Sequence, residues 1–273
     1  MSSIEFGQIG VIAGKEFRDR LRNRWVLAVA CVFTIFALVI AYFGSAQQGA
    51  VGWRSIDMTI ASLVSLVIYL VPLIALILGY DAIVAERERG SLDLLLSMPI
   101  TRLELLLGKF AGLASALGVA TFAGFGLAGV LLFYQLGGDA LYHYGGFMLS
   151  AFLLSLCFLS LAVMVSVLAH DRMRASGIAI ALWFFYVLVY DLLLLGILVV
   201  SEGQWSLNFF PALLMLNPAD IFRILNIFGF EDVRRIYGLA TVFPETLANP
   251  WLLGSAMVFW IIAPLGVAAW RFK

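Results

Sequence analysis

AERERGSLDLLLSMPITRLELLLGK, residues 85–109, groups Glu86, Arg87, Glu88, Arg89 and Asp93 within nine positions, between long apolar runs on both sides. Charges grouped in this way need water, so the loop marks a place where the chain leaves an apolar medium. It divides into three pieces. AERER carries the preceding helix into water, and Gly90 stops it, because glycine takes the left-handed conformation that ends helices without steric cost. Ser91 is placed to N-cap a short helix over SLDLLLS. Met98-Pro99 then breaks the chain, since a proline inside a helix removes a hydrogen bond and clashes with the preceding turn. TRLE at 101–104 fits a capping box, in which hydroxyl and carboxylate each accept from the other's backbone N–H and start the next helix. The expected order is helix, break, short leucine-rich helix, break, helix, with the charges as a hydrated frame.

The rest of the chain agrees. Of 273 residues, 63% are hydrophobic and 12% charged, with a mean hydropathy of +1.03; a soluble domain carries about 25% charged residues. Six apolar runs, near residues 25–43, 60–80, 110–134, 147–168, 176–200 and 251–270, approach the roughly 20 residues a helix needs to cross a bilayer. The expected fold is all-α, a single six-helix polytopic membrane domain over residues 1–273. The first run, WVLAVACVFTIFALVIAYF, is too long for a signal-peptide core and lacks a cleavage site, so it is read as the first crossing.

Six crossings put both termini on one side. Lys15, Arg18, Arg20, Arg22, Arg24, Arg87, Arg89, Arg102, Lys109, Arg172, Arg174, Arg271 and Lys273 share that side; Arg54, Arg223, Arg234 and Arg235 face the other. Thirteen basic residues against four place both termini and the 85–109 loop in the cytoplasm. GKEFRDRLRNR at 14–24 alternates in sign, with Phe17 and Leu21 four apart. That suits an elbow helix lying among lipid headgroups; a bare topology-setting basic flank is the alternative. The leucine-rich helix after Gly90 has two coverings open to it, the membrane surface with its own helix ends or a cytoplasmic partner.

Several functions are excluded. Net charge is zero and no basic tail or zinc-finger spacing exists, so no nucleic-acid partner is expected. No GxxxxGK[ST] run occurs, so ATP would have to bind a second chain, and the chain is expected to be no enzyme by itself. HExxH, G-x-S-x-G and a cysteine–histidine cluster are also missing. Cys31 and Cys157 lie in apolar runs and read as buried, packed thiols. His143, Met148 and Asp139 fall at one membrane edge and His170 at the other, too few soft ligands for Cu(I), so no metal site is expected.

Three further features carry alternatives. Residues 201–250 form a connection too long to be structureless. Pro211, Asn217-Pro218 and Gly229 should divide PALLMLNPADIFRILNIFGFEDVRRIYG into short helices near the outer leaflet, serving as lids or as a docking surface. Asp191 interrupts FFYVLVYDLLLLG; an acid there either packs internally, with a bond from Tyr186, or lines a path. Gly108, Gly112, Ala116, Ala120, Gly124 and Ala128 recur every fourth residue, which allows close helix approach. A four-residue step drifts about 40° per repeat, so this stripe winds round the helix and need not serve one partner.

The pattern E-R-E-x-G-S-L-x-x-L-L-S-x-P-I-x-R-x-E-x-x-x-G-K resembles the cytoplasmic signature of ABC-2 type permeases, and KEFRDRLRNRW with the long last connection fits too. Within that family the chain resembles membrane subunits that serve maturation of the copper-sulfide centre of nitrous oxide reductase. The resemblance implies a coupling helix over 91–98 seated in a groove of a separate ATPase. Glu86, Glu88, Ser91, Leu92, Leu95 and Met98 would contact it, with Arg102, Glu104 and Lys109 framing the return. Asp171, Arg172 and Arg174 would form a second cytoplasmic contact. It implies a homodimer in the bacterial inner membrane over two ATPase copies that bind ATP and Mg. Outside, a periplasmic β-helical copper-binding protein would carry the copper. Glu202, Asp220, Glu231, Asp232, Arg234, Arg235 and Glu245 would be its polar contacts. The implied work is export of a sulfur species or transmission of ATPase motion to the copper protein. The rivals are a general ABC-2 exporter of drugs or lipids and a membrane scaffold without an ATPase.

Overall fold

Each apolar run becomes a helix long and apolar enough to cross a membrane, six in all among the described residues. The computed structural model describes residues 5–43, 56–136, 139–200, 210–227 and 249–272, and every regular element in them is helical. In chain order these are α1 (Phe6–Arg22), α2 (Trp25–Phe43), α3 (Ile56–Gly79), α4 (Val84–Glu88), α5 (Ser91–Leu96), α6 (Arg102–Leu136), α7 (Asp139–Leu168) and α8 (Arg172–Phe184). A π-helical segment (Phe185–Val189) leads into α9 (Tyr190–Val200), followed by α10 (Phe210–Met215), α11 (Pro218–Ile227) and α12 (Pro250–Arg271). The crossings run past the apolar stretches at the end that carries the 85–109 loop, the loop end hereafter, because α4 and the start of α6 continue the third and sixth helices beyond their greasy parts.

The core centres on α7, which packs against α3, α6, α11 and α12. An aromatic column fixes its half away from the loop end. Phe33 stacks on Phe125 with ring centroids 4.8 Å apart, Phe125 meets Phe147 edge-on at 5.4 Å, and Phe147 reaches Phe222 of α11 at 6.2 Å. Offset and edge-on rings are the favoured geometries for such pairs.

The small residues of α6 are spent on two different neighbours. A Cβ on Gly108 would meet Ile12 of α1 at 2.7 Å, and one on Gly112 would meet the Ala13 carbonyl at 2.6 Å. A Cβ on Gly124 would meet Phe33 of α2 at 2.7 Å. The winding stripe therefore seats α1 at one end and α2 at the other.

Three expectations are corrected. The elbow helix spans Phe6–Arg22, not 14–24, because Ile9, Ile12 and Ala13 lie against Gly108 and Gly112 and tertiary packing extends a helix its glycines alone would weaken. Cys31 is exposed on α2, and only Cys157 is buried. Ser91 is the first helical residue of α5; the position before it is Gly90, at φ +70°. Other boundaries stand as read: Gly90 ends α4, and the TRLE capping box opens α6.

Candidate functional site

The loop end is a braced frame from which one short helix face projects. Thr101 and Glu104 form the capping box, with the Thr101 N–H donating to Glu104 Oε2 at 2.7 Å and the Glu104 N–H to Thr101 Oγ1 at 3.2 Å. The other oxygen of Glu104 accepts from the Glu5 N–H at 2.7 Å, so one carboxylate starts both α6 and α1. Glu104 is 2% exposed. A hydroxyl from another helix serves α4 in the same way, Ser166 Oγ accepting from the N–H groups of Ile83 and Val84 at 2.9 and 3.0 Å.

Of the charges of AERER, Glu86 and Arg87 are half-buried and turn to the chain's own groups, while Glu88 and Arg89 are exposed. Glu86 accepts from the Ser91 hydroxyl and from Lys109 Nζ, the latter at 3.1 Å. Lys109 lies 3.3 Å from Glu16 of α1, which also pairs with Arg20 at 3.2 Å. Arg20 approaches Asp81 at 3.7 Å, and Asp81 pairs with Arg172 at 2.9 Å. Glu88 accepts from the Arg172 N–H at 2.6 Å. Arg87 donates to the carbonyls of Ala169 and Val167 at the C-terminal end of α7, at 2.7 and 3.1 Å. A helix C-terminus favours a cation there. A cleft of about 300 Å³ opens among Glu16, Arg20, Asp81, Glu86 and Lys109. The hydrated frame read from the sequence is thus an ion network joining α1, α4, α6 and α8.

On this frame α5 shows a clear inside and outside. Leu92 is buried, Leu95 and Leu96 are half-buried, whereas Leu94 and Met98 are 68% and 49% exposed. Leu94 lies on α5 and Met98 in the turn that follows it. Leu92, expected from the sequence to contact a partner, packs into the chain's own core, whereas Leu94 is exposed. Arg102 is exposed, its guanidinium 5.9 Å from the centroid of the Phe272 ring. Asp171 N-caps α8 through the Arg174 N–H at 2.7 Å and pairs with the Arg174 guanidinium at 3.1 Å. Glu86, Glu88, Glu104 and Arg172 hold the frame, while Leu94, Met98, Arg102 and Arg174 lie on its surface.

At the opposite end α10 and α11 close over the bundle as a lid. Asp220 is 1% exposed, which corrects its assignment to a docking surface: its carboxylate accepts from Asn217 at 2.9 Å and from Arg223 at 2.6 Å. Burial raises the Asp220 carboxyl above the usual aspartate range; Arg223 and Asn217 oppose that and the Asp191 carboxylate adds to it. Asp191 pairs with the same guanidinium at 2.9 Å. Its partner is therefore Arg223, and the Tyr186 hydroxyl expected from the sequence is not needed. Glu202, Glu231, Asp232, Arg234, Arg235 and Glu245 lie outside the described residues. Among the described residues no three of His, Cys, Asp or Glu converge as metal ligands.

The residues that sequence reading missed are partners rather than motifs. Glu16 and Asp81 join the network and Arg223 neutralises Asp191, each across many intervening positions. Leu94 was in view within the leucine run, and only the packing side of α5 distinguishes it from Leu92.

Residues 11–273 match the family described as ABC-2 family transporter protein. The chain is 43% identical over 271 residues to a Pseudomonas aeruginosa protein described as "Probable ABC transporter permease protein NosY", covering 97% of this chain and 98% of that one. It is 42% identical over 270 residues to a Stutzerimonas stutzeri protein of the same description, with the same coverage.

Proposed function

The chain belongs to the ABC-2 family of transporter permeases, and on that premise we propose that it is the permease of an ATP-driven complex that matures the copper-sulfide centre of nitrous oxide reductase. As an ABC permease it is a multi-pass membrane protein whose family works with an ATPase. The single observation that carries the coupling role is an exposed apolar pair, Leu94 on α5 and Met98 in the turn after it, presented on a frame braced by Lys109, Glu86 and Glu16. An apolar pair on a rigid support transmits a push instead of absorbing it.

In this reading two chains form a homodimer in the bacterial inner membrane, with both termini and α5 in the cytoplasm. Two ATPase copies bind ATP and Mg and drive α5. A periplasmic β-helical copper-binding protein docks on the 201–250 connection. The sequence resemblance and the NosY description of both relatives support the maturation role. The frame joins α5 to α1, α6 and α8, so displacement of α5 reaches several crossings at once. Motion passed along them either drives out a sulfur species or works the copper protein directly. The pairing of Asp191 with Arg223 favours the second, because the one acid read as a path residue is already neutralised.

The test is photo-cross-linking from Leu94 and Met98 in native membranes, combined with carboxyl-directed cross-linking from Glu231 and Glu245 and mass spectrometry of the captured chains. An ATPase at the first pair and a copper protein at the second support the full reading. An ATPase with no external partner reduces it to a general exporter. No ATPase, even with ATP trapped, removes the coupling role.

A further inference from the structure

The fifth crossing is one continuous run of α8, the π segment and α9. A π turn holds one residue more than an α turn and occurs mostly where a helix must do something besides span. Beyond it the helix is shallowly embedded. Only Leu194 of α9 is buried, while Leu192, Val199 and Val200 are 67%, 69% and 85% exposed.

Three polar contacts fall on the π segment or within two residues of its end, and all three come from the lid. Asn217 Nδ2 donates to the Tyr186 carbonyl at 2.9 Å. The Tyr190 hydroxyl donates to the Leu213 carbonyl at 2.6 Å. Arg223 holds Asp191 at 2.9 Å. The lid has its own attachments elsewhere: Trp260 Nε1 of α12 donates to the Met215 carbonyl at 3.1 Å, and Asn226 Nδ2 donates to Ser150 Oγ of α7 at 2.9 Å. Arg223 is also held inside the lid by Asp220. The lid is thus fixed to α7 and α12, and the outer half of the fifth crossing hangs from it.

We propose that the π segment Phe185–Val189 is the hinge of a latch, with α9 moving between an arrangement held by Asp191–Arg223 and a released one while the lid stays on α7 and α12. Resolving the π turn into an α turn shifts the register by one residue and rotates everything beyond it by about 100°. That rotation takes Asp191 off Arg223 and the Tyr190 hydroxyl off the Leu213 carbonyl. It leaves Arg223 with Asp220, so the guanidinium is never unpaired, and it leaves the lid's bonds to Trp260 and Ser150 intact. A side chain about 5 Å from the helix axis sweeps roughly 8 Å in such a turn. The device stands on geometry at the lid and does not depend on which substance, if any, the protein moves.

The experiment uses the full chain in lipid nanodiscs, with Cys31→Ser and Cys157→Ala, and spin-label pairs from Leu216 of the lid to four exposed positions. These are Leu149 on α7, Ile180 on α8, and Leu192 and Val199 on α9. Distances are compared with and without the pair Asp191→Ala and Tyr190→Phe, which together remove the lid's hold on α9 and keep Arg223–Asp220. The expected result is a shift or broadening by roughly 8 Å for the pairs to Leu192 and Val199, with those to Leu149 and Ile180 unchanged. Unchanged distances throughout overturn the proposal. So does movement of all four together, which makes the lid the moving part, or movement at Val199 alone, which is fraying of a helix end.

Discussion

The ammonium of Lys109 lies 3.1 Å from the carboxylate of Glu86, although Lys109 begins the greasy part of α6 and Glu86 ends the crossing before it. With its side chain 8% exposed and Glu16 at 3.3 Å on the other side, Lys109 is shared by two carboxylates from different elements. Removing one member of a buried ion pair typically costs about 3–5 kcal/mol, because the remaining charge stays desolvated. Lys109→Met should therefore lower stability by about 3 kcal/mol, since the two glutamates keep some access to water and retain Arg20 and Ser91. Adding Glu86→Gln to Lys109→Met should recover part of the loss. Thermal unfolding of the single and double variants in one detergent measures it, and an additive double variant would show that the pair is not coupled.

Leu94 and Leu92 are two residues apart and should answer oppositely to the same change. Leu94→Asp places a charge on an exposed face and should leave the unfolding midpoint unchanged. It should weaken ATPase binding at least tenfold, the usual effect of about 1.4 kcal/mol lost at a contact centre. Leu92→Asp buries an unpaired carboxylate and should destabilise the chain itself. Co-purification with the ATPase and thermal unfolding, read side by side, separate the two. Undiminished ATPase binding by Leu94→Asp would mean that the partner does not use this face.

Signals that act on sequence neighbours are legible in the sequence, except that Gly90 and not Ser91 occupies the N-cap position of α5. Gly90, Pro99 and the TRLE box act on neighbours within a few residues, so the breaks around α5 and the start of α6 were legible from their chemistry alone. The six crossings were legible because a bilayer demands long apolar runs. The partner choices were not. Glu104 serves Glu5, 99 positions earlier, and Lys109 serves Glu16, 93 positions earlier; no periodicity encodes such pairs. Leu92 and Leu95 were preferred to Leu94 because a six-residue helix gives too short a pattern to show its inner face. Asp220 looked like a surface acid, yet Asn217 and Arg223 on its own short helix and turn satisfy it inside the lid.

Gly112 and Gly126 sit on one helix and should differ sharply. A Cβ on Gly112 would lie 2.6 Å from the Ala13 carbonyl and 2.7 Å from Glu16 Cβ, whereas one on Gly126 meets nothing within 4 Å. Gly112→Ala should push α1 off α6 and cost about 1–3 kcal/mol, the range for overpacking. It should also stretch the Glu16–Lys109 pair. Gly126→Ala should be neutral or slightly stabilising, because alanine is the better helix former. Thermal unfolding of both variants decides, and a neutral Gly112→Ala would mean that α1 does not pack as closely as the structure shows.

The lid carries the pH dependence. One guanidinium, Arg223, faces two carboxylates, Asp220 and Asp191, so the group carries one net negative charge under a largely buried helix only when both acids are ionised. Burial is the main cause raising the Asp220 carboxyl from 3.8 to about 7, and repulsion from Asp191 adds to it against the opposing pull of Arg223 and Asn217. An acid whose pKa is higher folded than unfolded holds its proton better in the folded state. Its contribution is therefore fully present below the unfolded value and is lost as pH rises through the folded one. Lid stability should fall between about pH 4 and about pH 7, the window set by those two values, and level off above it. Hydrogen-exchange protection of residues 218–227, corrected for the intrinsic pH dependence of exchange, measures the lid directly. Asp220→Asn, which cannot ionise, should flatten the slope while Arg223 keeps Asp191. Protection that instead rises with pH in the wild-type chain would mean that the pull of Arg223 outweighs burial and that Asp220 is ionised throughout.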